Sequence, residues 1–334
     1  MILACDVGGT KTNVALLLPG TTGLSVARLE TYNSRQHASL NEIIADFLGS
    51  DPPSLDAAGF GVAGPVMHNR VITTNLPWTV EGAELSQLLK LPRVSLLNDV
   101  EVFTWAVPEL GPDAHVSVQT GQTDAGNLAV IAAGTGLGMS ALLRGDGPVR
   151  SLASEGGHAD FAPIDDIEIA LLRFLRQRFG RVSAERILSG TGLVTVYEFL
   201  RHENGGAEPT PIDTSSADAA AAIGSAALAG QNELAERSVM LFLGVYGAAA
   251  GNWALATVST GGVWLGGGIA RKLLEGPTGT SPSWRVRARE AFLRRFRDKG
   301  RLSPLLTVMP VYMIMTDEAP LLGAARFALA DRGH

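Results

Sequence analysis

Residues 2–18 read Ile2-Leu3-Ala4-Cys5-Asp6-Val7-Gly8-Gly9-Thr10-Lys11-Thr12-Asn13-Val14-Ala15-Leu16-Leu17-Leu18, two apolar runs separated by a short polar turn. Ile2 to Cys5 and Asn13 to Leu18 predict paired strands, and the Gly-Gly-Thr-Lys between them predicts a β-hairpin that opens a sheet. A carboxylate at a strand end, then two residues without side chains, a hydroxyl and a cation, suits phosphate. The glycines let main-chain N–H groups close on oxyanions, Thr10 can donate a hydroxyl hydrogen bond, and Asp6 can hold Mg2+ through its water shell. Taken alone, the same residues also read as an ordinary Gly-Gly hairpin with a capping Asp.

Working outward, a third strand is predicted around Leu24 to Thr31. A helix over Leu40 to Leu48 follows from the spacing of Leu40, Ile43, Ile44 and Phe47, and Ala57 to Val62 then reads as a buried strand ending at Ala63-Gly64-Pro65. Val94 to Leu97 predicts a strand running into Asn98-Asp99, with helix over Val100 to Leu110. Near Asn127 the design restarts. Leu128 to Ala133 is an apolar strand entering Gly134-Thr135-Gly136-Leu137-Gly138, followed by a second apolar run at Met139 to Leu143. Gly9-Thr10 followed by Ala15-Leu16-Leu17 matches Gly134-Thr135 followed by Ala141-Leu142-Leu143 with one residue of difference in spacing, which hints at two related halves. The remainder reads as helices at Ile167 to Phe179, Thr191 to His202, Asp218 to Ala229, Leu234 to Val258 and Trp284 to Lys299, with strands at Gly262 to Gly266 and Val308 to Met315 and a last helix from Pro320.

The chain has 334 residues, which suits two domains with a ligand cleft between them: 1–110, which the helix 320–334 can join, and 111–319. It is 46% hydrophobic and 18% charged with a net charge of -6, and has no basic block, so neither nucleic acid nor a membrane surface is an expected partner. Cys5 is the single cysteine, which excludes an internal disulfide framework and a cysteine-rich zinc site. Neither a basic leader before the first strand nor an apolar run of membrane-spanning length is expected, because Ile2 to Cys5 runs at once into Asp6 and two glycines and the alanine-rich stretch near residue 220 is broken by Gln231, Asn232 and Glu233. A cytoplasmic location is expected. Glycine is in excess, 39 residues or about 12% against a usual ~7%, and concentrates in loops beside apolar runs.

Neither glycine loop is a Gly-x-x-x-x-Gly-Lys-Ser/Thr P-loop, and Gly134-x-Gly136-x-Gly138 lacks the spacing of a dinucleotide fingerprint, so a Rossmann dehydrogenase is disfavoured. At Asp6 to Lys11 and Gly134 to Gly138 the sequence resembles the actin, hexokinase and chaperone-ATPase superfamily, and within it the bacterial glucokinases. Leu97-Asn98-Asp99, Glu155-Gly156-Gly157-His158, Ser183-Ala184-Glu185-Arg186-Ile187-Leu188-Ser189-Gly190 and Gly266-Gly267-Gly268-Ile269 resemble that family's blocks, in its order. The resemblance implies a two-lobed α/β fold of RNase H-like, actin/hexokinase type, closing on ATP, Mg2+ and a hexose. It places Asn98, Glu155, His158 and Glu185 at the sugar and Asp99 as catalytic base. Asp6, Gly8, Gly9, Thr10, Gly134, Thr135, Gly136, Gly267 and Gly268 fall on the nucleotide segments, with Asp6 toward Mg2+ through water. The loop of Thr74, Asn75 and Trp78 also resembles a sugar-side segment. The related ROK kinases carry a cysteine-rich zinc motif after a similar Glu-x-Gly-His block; this chain has none. Lys11 stands where bacterial glucokinases often have Asn, and either reaches a phosphate or is a solvated hairpin lysine.

A sugar hydroxyl is a poor nucleophile at neutral pH, so a carboxylate within hydrogen-bond reach must take its proton as phosphorus is attacked in line. Asp99, just past a strand, suits that role, although Asn98-Asp99 also reads as a helix cap. Glu155 and Glu185 can accept from adjacent hydroxyls and His158 can donate or accept. Glu155-x-x-His158 as a metal pair on one helical face is disfavoured by the intervening Gly156-Gly157, Glu185 alone reads as a solvated carboxylate, and Gly267-Gly268 also reads as tight strand-to-helix packing. The expected activity is phosphorylation of glucose by ATP. A kinase for mannose or an amino sugar is a rival, as is a non-catalytic sugar sensor, which would be expected to carry a DNA-binding extension. Alternative phosphoryl donors and oligomeric state, a homodimer included, are left open by the residues.

Overall fold

The computed structural model describes residues 1–21, 23–73, 75–122, 124–206 and 210–331. These form two compact units, each with its own sheet: the first comprises Met1–His115, Ser151–Ala153 and the chain from Met315 on, the second Val116–Arg150 and Ser154–Ile314.

In the first unit the opening hairpin forms as its sequence dictates. β1 (Ile2–Val7) and β2 (Lys11–Gly20) pair antiparallel, with Asp6 opposite Asn13 and Val7 opposite Thr12. β3 (Gly23–Asn33) continues the meander, α1 (Leu40–Leu48) is capped by the Ser39 hydroxyl, and β4 (Ala57–Val62) lies parallel to β1. A small hairpin, β5 (Arg70–Ile72) and β6 (Thr79–Glu81), leads through α2 (Gly82–Leu89) to β7 (Ser95–Asn98) and α3 (Glu101–Ala106). The sheet order is β3-β2-β1-β4-β7, with β7 parallel to β4. Because β1, β4 and β7 are parallel, their carboxyl ends share one edge, where open α/β sheets hold ligands. That edge carries Asp6, Ala63-Gly64 and Asn98-Asp99. β4 is buried along its whole length, the pattern of a strand covered on both faces. Leu40, Ile43, Ile44 and Phe47 of α1 join Phe60 and Trp78 in the core.

The second unit contains β8 (His115–Gln119), β9 (Leu128–Ala133), β10 (Leu137–Leu143), β11 (Arg150–Ser154), α4 (Asp166–Phe179), α5 (Gly190–Glu203), α6 (Ala219–Leu228) and α7 (Glu233–Thr257). It continues through β12 (Gly262–Gly266), α8 (Gly268–Leu274), α9 (Pro282–Arg297), α10 (Ser303–Val308) and β13 (Val311–Ile314). Its sheet order is β11-β10-β9-β12-β13-β8. β9, β12 and β13 run parallel and β10 antiparallel to β9, so five strands repeat the order of the first sheet and β8 is added at the edge. A final helix, α11 (Ala319–Asp331), returns to the first unit and packs on β1, β4 and α3. The contact is made by small residues: a Cβ on Gly59 would stand 2.0 Å from Ala324 O, and one on Gly323 would stand 1.8 Å from Val102 O.

Several expected boundaries shift. The helix expected over Val100 to Leu110 becomes α3 followed by a 3-10 turn at Val107–Glu109, because Pro108 interrupts it. The strand expected from Val308 to Met315 shortens to β13, since α10 runs through Val308 and Pro310 precedes the ladder. The expectation that no segment is long and apolar enough to span a membrane fails for α7, which qualifies by length and composition; half of its most apolar stretch is buried inside the second unit. It packs on α9, α5, α6 and β9, and Tyr246 donates its hydroxyl to Ile131 O at 3.0 Å. Its apolarity is that of a core helix. Thr74 lies outside the described residues, as do residues 332–334 of the C-terminal stretch.

Candidate active site

The β1–β2 turn is fixed from several sides. Gly8 N–H donates to Lys11 O at 3.0 Å, Ser34 N–H donates to Thr10 O at 3.0 Å, and Ser34 Oγ donates to Gly8 O at 2.8 Å. Thr12, fully buried, pairs its hydroxyl with that of Ser34. A Cβ on Gly9 would lie 2.7 Å from Asn75 Cβ, so the turn is closed over by the connection between β5 and β6. Lys11 is exposed at the first position of β2.

Asp6 is half-buried at the end of β1, and loss of hydration raises its carboxyl above the usual range, opposed by a hydrogen bond from Asn13. Asn13 Nδ2 donates to Asp6 Oδ2 at 3.3 Å, and Thr31 Oγ1 donates to Asn13 Oδ1 at 2.8 Å, a row across three neighbouring strands. Among the described residues no ion pair to a basic side chain is formed by Asp6. A partly dehydrated carboxylate with one amide donor and no counter-charge fits a hydrated hard cation, because Mg2+ keeps several waters and takes one or two carboxylates plus phosphate oxygens. Asn13 and Ser34 were not singled out from the sequence. Asn13 was legible there, since a tight turn after Val7 fixes it opposite Asp6.

At the end of β7, Asn98 is committed at both ends of its amide. Its Oδ1 accepts from Val100 N–H at 2.9 Å and its Nδ2 donates to Gly64 O at 3.0 Å. Asp99 follows, half-buried, with its N–H donating to Val62 O at 3.1 Å. Thus the Asn98 side chain forms the turn that precedes α3 and sets Asp99 at the carboxyl end of β7. Beneath them lies Glu101, a residue the sequence reading passed over. Its Oε2 accepts from Asn98 N–H at 3.4 Å and its Oε1 accepts from the Ser151 hydroxyl. Burial pushes this carboxyl up and the two hydrogen bonds oppose the shift. Asn98-x-x-Glu101 ahead of an apolar run has the spacing of a capping box, the signal that could have found it.

The second unit brings Glu155, His158 and Glu185 together. Glu155 precedes the 3-10 turn Gly156–His158, and Glu185 sits in the 3-10 turn Ala184–Arg186. His158 Nε2 is 3.7 Å from Glu155 Oε2 and its Nδ1 is 3.7 Å from Glu185 Oε1. The side chains of Glu155 and His158 are 64% and 58% exposed, Glu185 30%. An imidazole between two carboxylates, open to solvent, offers several acceptors and one group that donates or accepts, which matches adjacent hydroxyls. The link from Glu155 to His158 is a 3-10 turn and not an α-helical one, with His158 N–H donating to Glu155 O at 3.0 Å.

The β9–β10 turn, Gly134-Thr135-Gly136, repeats the β1–β2 turn in the same place of the second sheet, with Gly134 N–H donating to Gly136 O at 2.8 Å. One parallel strand over, β12 ends at Gly266, and Gly267 takes φ +79° where a Cβ would stand 2.4 Å from Ala133 O. Gly134 and Gly267-Gly268 therefore lie at neighbouring carboxyl ends, with no Cβ on either glycine of the crossover. Trp78, on the loop that resembled a sugar-side segment, is instead a core residue, buried with its Nε1 donating to His37 O at 3.3 Å. Cys5 is fully buried in β1, and burial with the Asp6 charge keeps its thiol protonated.

The two sheets share one strand order, each opens on a glycine turn, and carboxylates stand at strand ends and turns, the architecture of the actin-like ATPase fold. The glucokinase family model matches residues 3–331. The glucokinase of Synechocystis sp. is 36% identical over 351 residues, covering 97% of this chain and 96% of that protein. The crystal structure of a glucokinase from an Antarctic psychrotroph superposes with a TM-score of 0.84 at 31% identity, covering 98% of each chain. In fold alone, a ROK family glucokinase from Streptomyces griseus in complex with glucose and AMPPNP is similar at 20% identity and a TM-score of 0.62, covering 98% of this chain and 99% of that one. The chain belongs to the glucokinase family.

Proposed function

We propose that this protein transfers the γ-phosphoryl group of ATP to the 6-hydroxyl of glucose, with Asp99 as general base. Family membership across residues 3–331 carries the reading. The chemistry of the residues supports it. Asp99 accepts the hydroxyl proton as the sugar oxygen attacks phosphorus in line; the bond from phosphorus to the bridging oxygen breaks and ADP leaves. Asn98, with one N–H and one lone pair uncommitted, orients the sugar beside the base. Glu155, His158 and Glu185 take the remaining hydroxyls, and substrates lacking those hydroxyls would leave the residues unpaired. Gly8 and Gly134, whose N–H groups close their own turns, let the backbone approach the phosphates, and the N–H groups of Gly9-Thr10 and Thr135-Gly136 receive the phosphate oxygens, with Gly267-Gly268 beside the nucleoside. Asp6 would hold Mg2+ through water, and the ion would neutralise charge on the phosphates.

The test is a panel of glucose, mannose, glucosamine and N-acetylmannosamine with ATP and Mg2+, followed by coupled ADP release. Glucose should exceed each of the others at least tenfold in kcat/KM. A higher value for another hexose would reassign the substrate, and glucose binding without turnover would make the protein a sensor.

A further inference from the structure

Glu185 faces two partners with its two carboxylate oxygens. Oε1 is turned to His158, 3.7 Å from Nδ1, while Oε2 accepts from Leu137 N–H at 3.0 Å. Leu137 is the first residue of β10, directly after the Gly134-Thr135-Gly136 turn. Gly136 permits the approach, since a Cβ there would stand 2.6 Å from Oε2. Two further hydrogen bonds brace the same junction: Gly190 N–H donates to Gly134 O at 2.9 Å, and the Ser189 hydroxyl donates to Glu185 O at 2.9 Å. A glycine-bounded turn has wide conformational freedom, and a charge-assisted hydrogen bond is a strong tether for it.

We propose that Glu185 is a positioning residue for the second glycine turn as well as a ligand of the sugar, so that one carboxylate couples hydroxyl recognition to phosphate binding. The inference rests on the assignment above of the Glu155–His158–Glu185 cluster to the sugar and of Gly134 to Gly136 to the nucleotide. A hydroxyl bound at Oε1 immobilises the carboxylate, and with it the Leu137 N–H and the turn. Coupling between two ligands is reciprocal, so the nucleotide must equally favour the sugar. Glu155, with no hydrogen bond to the turn among the described residues, has no such second effect.

The experiment is calorimetric titration of the full chain with AMPPNP and Mg2+, with and without saturating glucose, and with glucose alone. The wild type should bind AMPPNP about fivefold or more tighter when glucose is present. Glu155→Ala should weaken glucose and spare AMPPNP. Glu185→Ala should weaken glucose, weaken AMPPNP roughly tenfold even without sugar, and abolish the coupling. Glu185→Gln, whose amide oxygen still accepts from Leu137 N–H, should restore AMPPNP affinity to within about threefold while glucose stays weak. If Glu185→Ala melts below the assay temperature, Glu185→Asp, one methylene too short to reach Leu137 N–H, replaces it. Weak glucose binding with wild-type AMPPNP affinity and coupling would overturn the inference and leave the sugar site standing. Unchanged glucose affinity would remove the sugar assignment itself. Loss of AMPPNP binding in Glu185→Gln as well as in Glu185→Ala would reduce the residue to a structural role.

Discussion

Gly157→Ala probes the proposed sugar cluster through its backbone. Gly157 lies between Glu155 and His158, and a Cβ added there would stand 1.9 Å from Leu137 O and 2.9 Å from Leu137 C. Both are main-chain atoms of β10, whose Leu137 is paired with Ala133 of β9, so no side chain can rotate away. Bringing the closest contact to 3.0 Å requires 1.1 Å of movement. The strand is held on its ladder, whereas the 3-10 turn, in which only Gly157 is buried, lies outside any ladder, so the turn moves and carries Glu155 and His158 with it. A misplacement of about 1 Å at a reacting site costs on the order of 10²-fold in rate, or about 2.7 kcal/mol. Overpacking of this kind destabilises by roughly 1–3 kcal/mol, a fall of several degrees in Tm that leaves the protein folded at assay temperature. Initial rates with varied glucose, alongside a thermal melt, measure both effects. Gly145→Ala, with no atom within 4 Å of the added Cβ, is the control and should lie within about twofold of wild type. A folded Gly157→Ala enzyme with kcat/KM for glucose within threefold of wild type would refute the placement of the sugar on this turn.

Asp99→Asn keeps the size of the side chain and should lower kcat by 10²- to 10⁴-fold while the glucose Kd changes little; near-normal turnover would remove Asp99 from the mechanism. EDTA should abolish phosphoryl transfer, whereas a zinc-selective chelator should leave rate and Tm unchanged, because the single cysteine is buried in β1; one equivalent of zinc in metal analysis would contradict this. Gly323→Ala places a Cβ 1.8 Å from Val102 O and 2.9 Å from Ala106 N, so α11 must lift from α3. It should lower Tm by roughly 5–10 °C without changing either KM, and an unchanged melt would show that the contact relaxes freely.

The sheets were legible because their strands announce themselves twice, as apolar runs of the right length and as glycine punctuation. The hairpin Ile2 to Leu18 needs no distant contact to form, and Ala57 to Val62 needs only a run too apolar to face water. What escaped depended on tertiary context. β5, β6 and α2 are short and only partly apolar, and β11 is largely exposed, so neither carries a period strong enough to read. Trp78 was grouped with a sugar-side loop because sequence position cannot tell a core indole from a binding one; burial decides it. Glu101 was hidden for the opposite reason: its capping spacing was present, but its second partner, Ser151, lies 50 residues away.

The two glycine turns, alike in topology, differ in the charge that their strands carry. The residue before the last of β1 is Asp6, while in β9 it is Ala132, and their partners across the hairpin are Asn13 and Gly138. A phosphate oxygen approaching the β9–β10 turn meets N–H groups and small residues of the strands, while the Glu185 carboxylate beside it is tied to Leu137 N–H. The same approach at the β1–β2 turn brings it toward a carboxylate, and two like charges 4 Å apart near a protein surface repel by about 4 kcal/mol. Backbone N–H groups alone do not offset a term of that size when the anion must also leave water. Asp6 therefore makes sense in a phosphate loop only if a cation accompanies the phosphates. Asp6→Asn should accordingly weaken the Mg2+ dependence of nucleotide binding, whereas Ala132→Ser, at the matching place in the second turn, should leave that dependence unchanged. Equal Mg2+ titration curves for wild type and Asp6→Asn would mean that the ion is held by the phosphates without this residue.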